Sequence, residues 1–326
     1  MEDFITKVLI TGGAGFIGSH LADKILSLNY KHLLQVINQV CVIDNLSTGR
    51  IENIKNYLDD SNFKFYCDTI LNKDLMGELV KQSDIIFHLA ANVGVDRVNQ
   101  TPSLTLQDDI EGTKIVLEKA KKYWKKVLLM SSSEVYGYSK SPLLESSVRL
   151  LPSLDLRSSY AEVKIINEML AMAYHKEYGL PIIIIRLFNT TGERQLPDYG
   201  MVLPTFIKAI LNYQPMIIYG DGKQSRCFSY VGDIVEVLWD IVKKEVYGQV
   251  FNLGSTRLIS INDLTQKIHN LPNRKYVGER SFDVEERIPN IDKIKKALGY
   301  DPIKTSLEEI IKRMIDYEKE KMNNDE

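Results

Sequence analysis

The sequence is poor in the features that mark several classes of protein. Among its 326 residues there are 3 cysteines, 2 tryptophans and 5 histidines. Cys41, Cys67 and Cys227 are odd in number and scattered, without metal-ligand spacing. They read as reduced thiols of a cytosolic protein, and no metal is expected. An excess of charge of one sign is missing as well, since 41 basic residues stand against 43 acidic ones. That balance offers nucleic acid no electrostatic footing, so no nucleic-acid partner is expected. The lysines at 119–122 read as a solvated helix face. Long apolar runs are absent: the greasy stretch 182–185 is far short of the roughly 18 residues a membrane span needs. The opening MEDFITKVLI lacks the basic start and apolar core of a secretion signal. A soluble, cytoplasmic protein with no membrane partner is expected, without internal repeats or low-complexity segments.

What is present is an ordinary globular composition, 44% hydrophobic and 26% charged, in a chain long enough for a large core. Short β-branched runs at 7–10, 40–43, 63–66, 85–89, 126–130 and 181–186 alternate with helix-period segments at 16–28, 113–123 and 160–178. That alternation predicts βαβ units, hence an α/β fold with a Rossmann-like, doubly wound parallel sheet. After residue 189 the rhythm turns irregular, punctuated by Pro197, Pro204, Pro215 and the glycines at 220–222. The expected division is a Rossmann domain over 1–188, to which 226–256 returns. A smaller, irregular C-terminal substrate-binding lobe would be built from 189–225 and 257–326.

Directly after the first strand comes TGGAGFIGSH at 11–20. Gly12 would permit the tight turn, Gly15 the close approach of a pyrophosphate, and Gly18 the packing of helix on strand. The phosphates would then rest on the helix N-terminus, where N–H groups and the macrodipole favour anions. A lone glycine triplet is weak, but strand before and helix after are the context it needs. The second strand ends at Asp44, in VIDNLSTG. An acid there accepts from both adenosine ribose hydroxyls and repels a 2′-phosphate, which favours NAD over NADP, with Arg50 the nearby counter-argument.

These stretches, with HLAA at 88–91, SSSEVYG at 131–137 and Tyr160-x-x-x-Lys164, resemble the extended short-chain dehydrogenase/reductases. More narrowly the chain is similar to the NAD-dependent nucleotide-sugar epimerase/dehydratase group. The resemblance continues through RLFNTTGERQ at 186–195 and YGDGKQSR at 219–226 to RIPNIDKIKKALGYDP at 287–302. It implies NAD as cofactor, held by Gly12, Gly15, Phe16, Ile17, Asp44, Asn45, Asp68, Ile70, Leu89, Ala90 and Lys164, with Asp68 on the adenine amine. It also implies a homodimer built on the helices near 105–123 and 160–178. One departure stands out: Asp109 occupies a place, three residues before Gly112-Thr113, where relatives usually carry asparagine.

Tyr160 and Lys164 lie one turn apart on a predicted helix and project from one face. A phenol with an ordinary pKa near 10 is a poor base at neutral pH. A neighbouring lysine and a positively charged nicotinamide would favour its phenolate. Tyr160 would then take the proton of a sugar hydroxyl as hydride leaves the same carbon. By resemblance a serine shares that hydroxyl: Ser132, or Ser133 beside it. Glu134 bears on the reaction type, because a carboxylate there reaches C5 of a sugar oxidised at C4. Removing the acidified C5 proton and expelling water from C6 makes a 4,6-dehydratase, the first expectation. A 4-epimerase needs no such base and stands second, and a uronic-acid decarboxylase stands third. Arg157 fits both the dehydratase and decarboxylase branches, VGVDR at 93–97 leans towards the dehydratase, and Arg287 suits a substrate carboxylate. Asn189, Arg194 and Arg226 are the candidates for the nucleotide-diphosphate sugar, while Phe228 and Tyr219 either stack on the base or pack the core. From a different class, an NAD-binding regulatory protein is opposed by the intact Ser132, Glu134, Tyr160 and Lys164.

Overall fold

The computed structural model describes residues 6–30, 38–91, 102–152, 156–197, 201–271, 273–278 and 284–324. Its β-branched runs form strands β1 (Thr6–Thr11), β2 (Asn38–Ile43), β3 (Phe63–Tyr66), β4 (Ile85–His88), β5 (Lys126–Ser132) and β6 (Ile182–Leu187), joined by a seventh strand, Gln249–Leu253. The seven make one sheet in the order Gln249–Leu253, β6, β5, β4, β1, β2, β3. Pairing is parallel from β1 to β2 and β4, from β2 to β3, and from β4 to β5. Strand order therefore reverses between β1 and β4, and in such a sheet the crevice for a ligand opens beyond the carboxyl ends at that point. Thr11 and His88 are register partners there.

Helices α1 (Phe16–Tyr30), α2 (Lys73–Gln82), α3 (Pro102–Tyr123) and α4 (Ser159–Tyr178) connect the strands. Asn72 caps α2 by accepting from the Leu75 N–H, and Gly179 ends α4 in the left-handed region at φ +69°. Ile182 to Ile185 are buried without alternation, as a strand covered on both faces requires. Each such side chain is worth roughly 1.5–3 kcal/mol of burial, so this one strand anchors much of the core. Around it cluster Leu9, Ile43, Ile86, Val116, Leu129 and Ala171.

Contacts divide the chain into two units. The first comprises Met1–Val135, Pro152–Arg186 and Val235–Phe251 and carries the sheet. The second comprises Tyr136–Leu151, Leu187–Ile234 and Asn252–Glu326. Its core is made by helices Val202–Leu211, Ile261–Ile268 and Leu307–Asn324, through Phe206, Leu264, Ile310 and Met314. Phe228 is buried in that cluster, so its packing role is the one observed, whereas Tyr219 stays exposed. Among the described residues no helix is long and apolar enough to cross a membrane.

Candidate functional site

The turn after β1 demands glycine. Gly12 sits at φ +70°, and a Cβ there would lie 2.9 Å from the Ala90 Cα, so no other side chain fits. A Cβ on Gly18 would run into the Gly12 carbonyl, which explains how closely α1 follows the strand. Gly15 differs: its Cβ would meet only the Gly12 carbonyl oxygen, at 3.2 Å, leaving an open side next to the helix start. No acidic residue occupies the first turn of α1, so nothing there offsets the dipole for an incoming anion. Phe16 and Ile17 open that helix half-buried, Phe16 edge-on to His20 at 5.7 Å.

Asp44 lies buried at the tip of β2. Its Oδ2 accepts from the Ala14 N–H (3.0 Å) and its Oδ1 from the Leu46 N–H (2.8 Å). Burial pushes its carboxyl above the usual range, and backbone hydrogen bonds from Leu46, Ala14 and Gly15 pull it back. A carboxylate oxygen carries more than one lone pair, so Asp44 keeps acceptor capacity beyond these backbone donors. Neighbouring Asn45 is exposed and accepts the Ser47 N–H. Asp68 is half-buried, bonded to the Thr69 N–H (2.6 Å) and the Asn72 amide (2.8 Å), and Ile70 packs on the core of the first unit. Leu89 and Ala90 donate to the carbonyl and hydroxyl of Thr11, both at 3.2 Å, which lays the chain after β4 alongside the glycine turn. Turn, open glycine and acid-tipped strand together fit a dinucleotide.

On the other side of β4 a second group assembles. Strand β5 continues through Ser132, two residues past its expected end at Met130, and Ser133 begins a 3-10 turn. The three serines are thereby separated. Ser131 is buried and donates to Glu168 (2.6 Å), while Ser133 is buried. Of the three it is Ser132 that favours the ionised form of the Tyr160 phenol, and its Oγ accepts the Glu134 N–H (3.2 Å). Burial pushes the Tyr160 phenol up, the carboxylates of Asp109 and Glu134 push it further, and Ser132 opposes them. Lys164, 5% exposed, donates to the Met130 carbonyl at 3.4 Å and holds its ammonium 5.6 Å from the Tyr160 ring centre. Burial lowers its pKa, against the pull of Asp109 and Glu168.

His88 was visible in the sequence only as part of a motif; the structure gives it two partners. Its Nδ1 lies 2.8 Å from the Thr11 hydroxyl and its Nε2 3.0 Å from that of Thr113. Burial, then Lys164, brings its pKa down to about 3, so the imidazole is neutral and ties β1, β4 and α3 together without adding charge. Glu168 and its partner Arg186 carry no signal in the sequence, because a salt bridge between a helix and a strand 18 residues on becomes visible only once both are folded.

The remaining sequence-predicted residues belong to the second unit. Arg287 is buried, with Nη2 on the Gly137 carbonyl (3.2 Å). Arg226 folds its Nη1 over the main chain, onto the carbonyls of Ser225 (2.8 Å) and Val284 (2.9 Å). Arg194 is half-buried in a turn with left-handed backbone, φ +67°. Asn189 leaves its side chain exposed while its carbonyl accepts the Ser229 N–H. The stretch 93–97 and the Arg157 side chain lie outside the described residues.

A glycine turn, an acid-tipped β2 and a Ser132–Tyr160–Lys164 cluster beside them define a short-chain dehydrogenase/reductase. The GDP-mannose 4,6 dehydratase family profile matches residues 9–314. The UDP-N-acetyl-alpha-D-glucosaminuronate decarboxylase of Bacillus cytotoxicus is 35% identical, over 96% of this chain and 98% of that protein. The UDP-glucuronic acid decarboxylase 1 of Arabidopsis thaliana is 34% identical, over 98% of this chain and 72% of its own. A structure of UDP-glucuronic acid 4-epimerase from Bacillus cereus, in complex with UDP-glucuronic acid and NAD, superposes with a TM-score of 0.86 at 30% identity, covering 97% of this chain and 99% of the other. The chain belongs to the NAD-dependent nucleotide-sugar epimerase/dehydratase family of extended short-chain dehydrogenase/reductases; it is an enzyme, and NAD is its cofactor.

Proposed function

We propose that the enzyme decarboxylates a UDP-linked uronic acid. The observation that supports this reading is that the two curated relatives named above, at 35% and 34% identity over nearly the whole chain, are both decarboxylases of UDP-linked uronic acids. It reverses the order expected from the sequence, where the dehydratase stood first.

Bound NAD supplies the acceptor for the C4 hydride and the same hydride for its return. The chain's own groups handle the protons. Tyr160, steadied by Ser132 on the same hydroxyl, takes the C4–OH proton, and Lys164 favours its phenolate. With C4 a ketone, the C6 carboxylate is a β-keto acid. The C5–C6 bond breaks, its electron pair passes into the C4–C5 enolate, and carbon dioxide leaves. No base is needed for that step, so Glu134 changes role from proton acceptor to the group that takes up a proton from solvent and passes it to C5. Tyr160 then returns its proton to the C4 oxygen. Arg287 is the candidate for the substrate carboxylate, with Arg226, Arg194 and Asn189 for the diphosphate and sugar.

The test is to incubate the enzyme with UDP-glucuronic acid and UDP-N-acetylglucosaminuronic acid, beside UDP-glucose and GDP-mannose, and weigh the products by mass spectrometry. Loss of carbon dioxide from a uronic acid is the expected result. Loss of water from a neutral sugar would restore the dehydratase, and an unchanged mass with inverted C4 the epimerase.

A further inference from the structure

The glycine turn after β1 and the acid at the tip of β2 would hold two parts of one dinucleotide, the pyrophosphate and the adenosine ribose. To do so they must keep a fixed spacing. Ala14, fully buried in the middle of the turn, is where the two are tied. Its N–H donates to Asp44 Oδ2 at 3.0 Å. Its carbonyl accepts two donors from further along the chain, the Arg50 N–H at 3.0 Å and the Asn53 side-chain amide at 2.8 Å. The chain from 44 to 53 thus leaves the tip of β2 and closes back onto the turn.

Local features favour that closure. Leu46 takes a left-handed backbone, φ +56°, and its N–H reaches back to Asp44 Oδ1 at 2.8 Å. Gly49 is buried against the carboxylate, where a Cβ would stand 2.7 Å from Oδ2 and 2.8 Å from Oδ1 of Asp44. Asn53 ends a 3-10 turn, Ile51–Asn53, and the next residue, Ile54, is fully buried and anchors it. Of the two donors onto the Ala14 carbonyl, only Asn53 uses its side chain, so substitution can remove that contact alone.

We propose that Asn53 is a positioning residue for NAD: by holding residues 44–53 onto Ala14 it fixes the glycine turn against Asp44 and slows release of the cofactor. A site whose two halves are already set apart correctly costs the ligand less ordering, and such gains appear mainly in the dissociation rate. The inference rests on Asp44 and the glycine turn being what holds NAD.

The experiment loads the enzyme with radiolabelled NAD, adds excess unlabelled NAD and follows loss of label from the protein. Asn53→Ala should release NAD about two- to tenfold faster than wild type, the effect of one hydrogen bond. The Ala14 carbonyl keeps the Arg50 N–H, so the variant should fold. Asn53→Asp has the same size but sets a carboxylate against the carbonyl, and should release NAD at least as fast as Asn53→Ala. Asn53→Gln keeps the amide and should return part of the way to wild type. A role confined to packing would reverse this order, with Asn53→Asp retaining NAD as wild type does, and would overturn the proposal. Asp44→Asn separates the proposal from the reading beneath it. Faster release in Asp44→Asn with wild-type release in Asn53→Ala and Asn53→Asp would overturn the proposal alone. Wild-type release in Asp44→Asn would remove Asp44 from the NAD site and the proposal with it.

Discussion

Tyr160→Phe is expected to slow sugar turnover by about 10²–10⁴-fold while NAD stays bound, the range that loss of a positioned acid–base group produces. The substitution removes one oxygen, the atom on which Ser132 acts and which would exchange the C4 hydroxyl proton. It leaves the ring, and with it the packing beside Lys164 at 5.6 Å. Fold and dinucleotide turn should therefore survive, and only the proton transfer should be lost. Single-turnover rates, with bound NAD quantified after gel filtration, separate the two effects. Turnover within a few-fold of wild type would remove Tyr160 from the chemistry.

The largest expected effect on stability comes from the ion pair behind the site. Glu168→Ala leaves the Arg186 guanidinium buried without the two hydrogen bonds it now makes to that carboxylate. Breaking such a pair costs about 3–5 kcal/mol, because the abandoned charge is not resolvated. Against a total stability of about 5–15 kcal/mol, that is enough to bring the sheet near its threshold. Replacing both partners by leucine avoids the stranded charge and should recover most of the loss. Urea midpoints for the single and double variants check both statements. A single variant as stable as wild type would mean that the pair contributes nothing, and a double variant no better than the single would mean that the charge was not the cause.

These two predictions draw on unequal parts of the sequence. The dinucleotide turn was legible because its chemistry is local: Gly12, Gly15 and Gly18 act on their own backbone, and Asp44 follows from the end of one strand. The six strands were legible because β-branched runs such as 182–185 are continuous. Helix α3 was not legible in full. It begins at Pro102, well before the expected 113, because the polar stretch around Asp108, Asp109 and Gly112 hides an apolar period that packing against α2 and α4 sustains. The end of β5 was misplaced because pairing within the sheet carries Ser131 and Ser132, which have no strand propensity of their own. Asp109 was readable as an unusual residue, but its burial depends on two helices meeting. Arg226 looked like a phosphate donor, and nothing local foretold that residues 284–285 would fold back under its guanidinium.

The central claim is that C4 is oxidised and reduced again within one turnover, with carbon dioxide lost between. UDP-glucuronic acid carrying deuterium at C4 tests it in one measurement. The account predicts a product lighter by carbon dioxide that keeps its deuterium at C4, with no reduced cofactor released into solution. Deuterium appearing at another carbon, washed into the medium or carried off on free NADH, or a product that has kept its carboxylate, would contradict it.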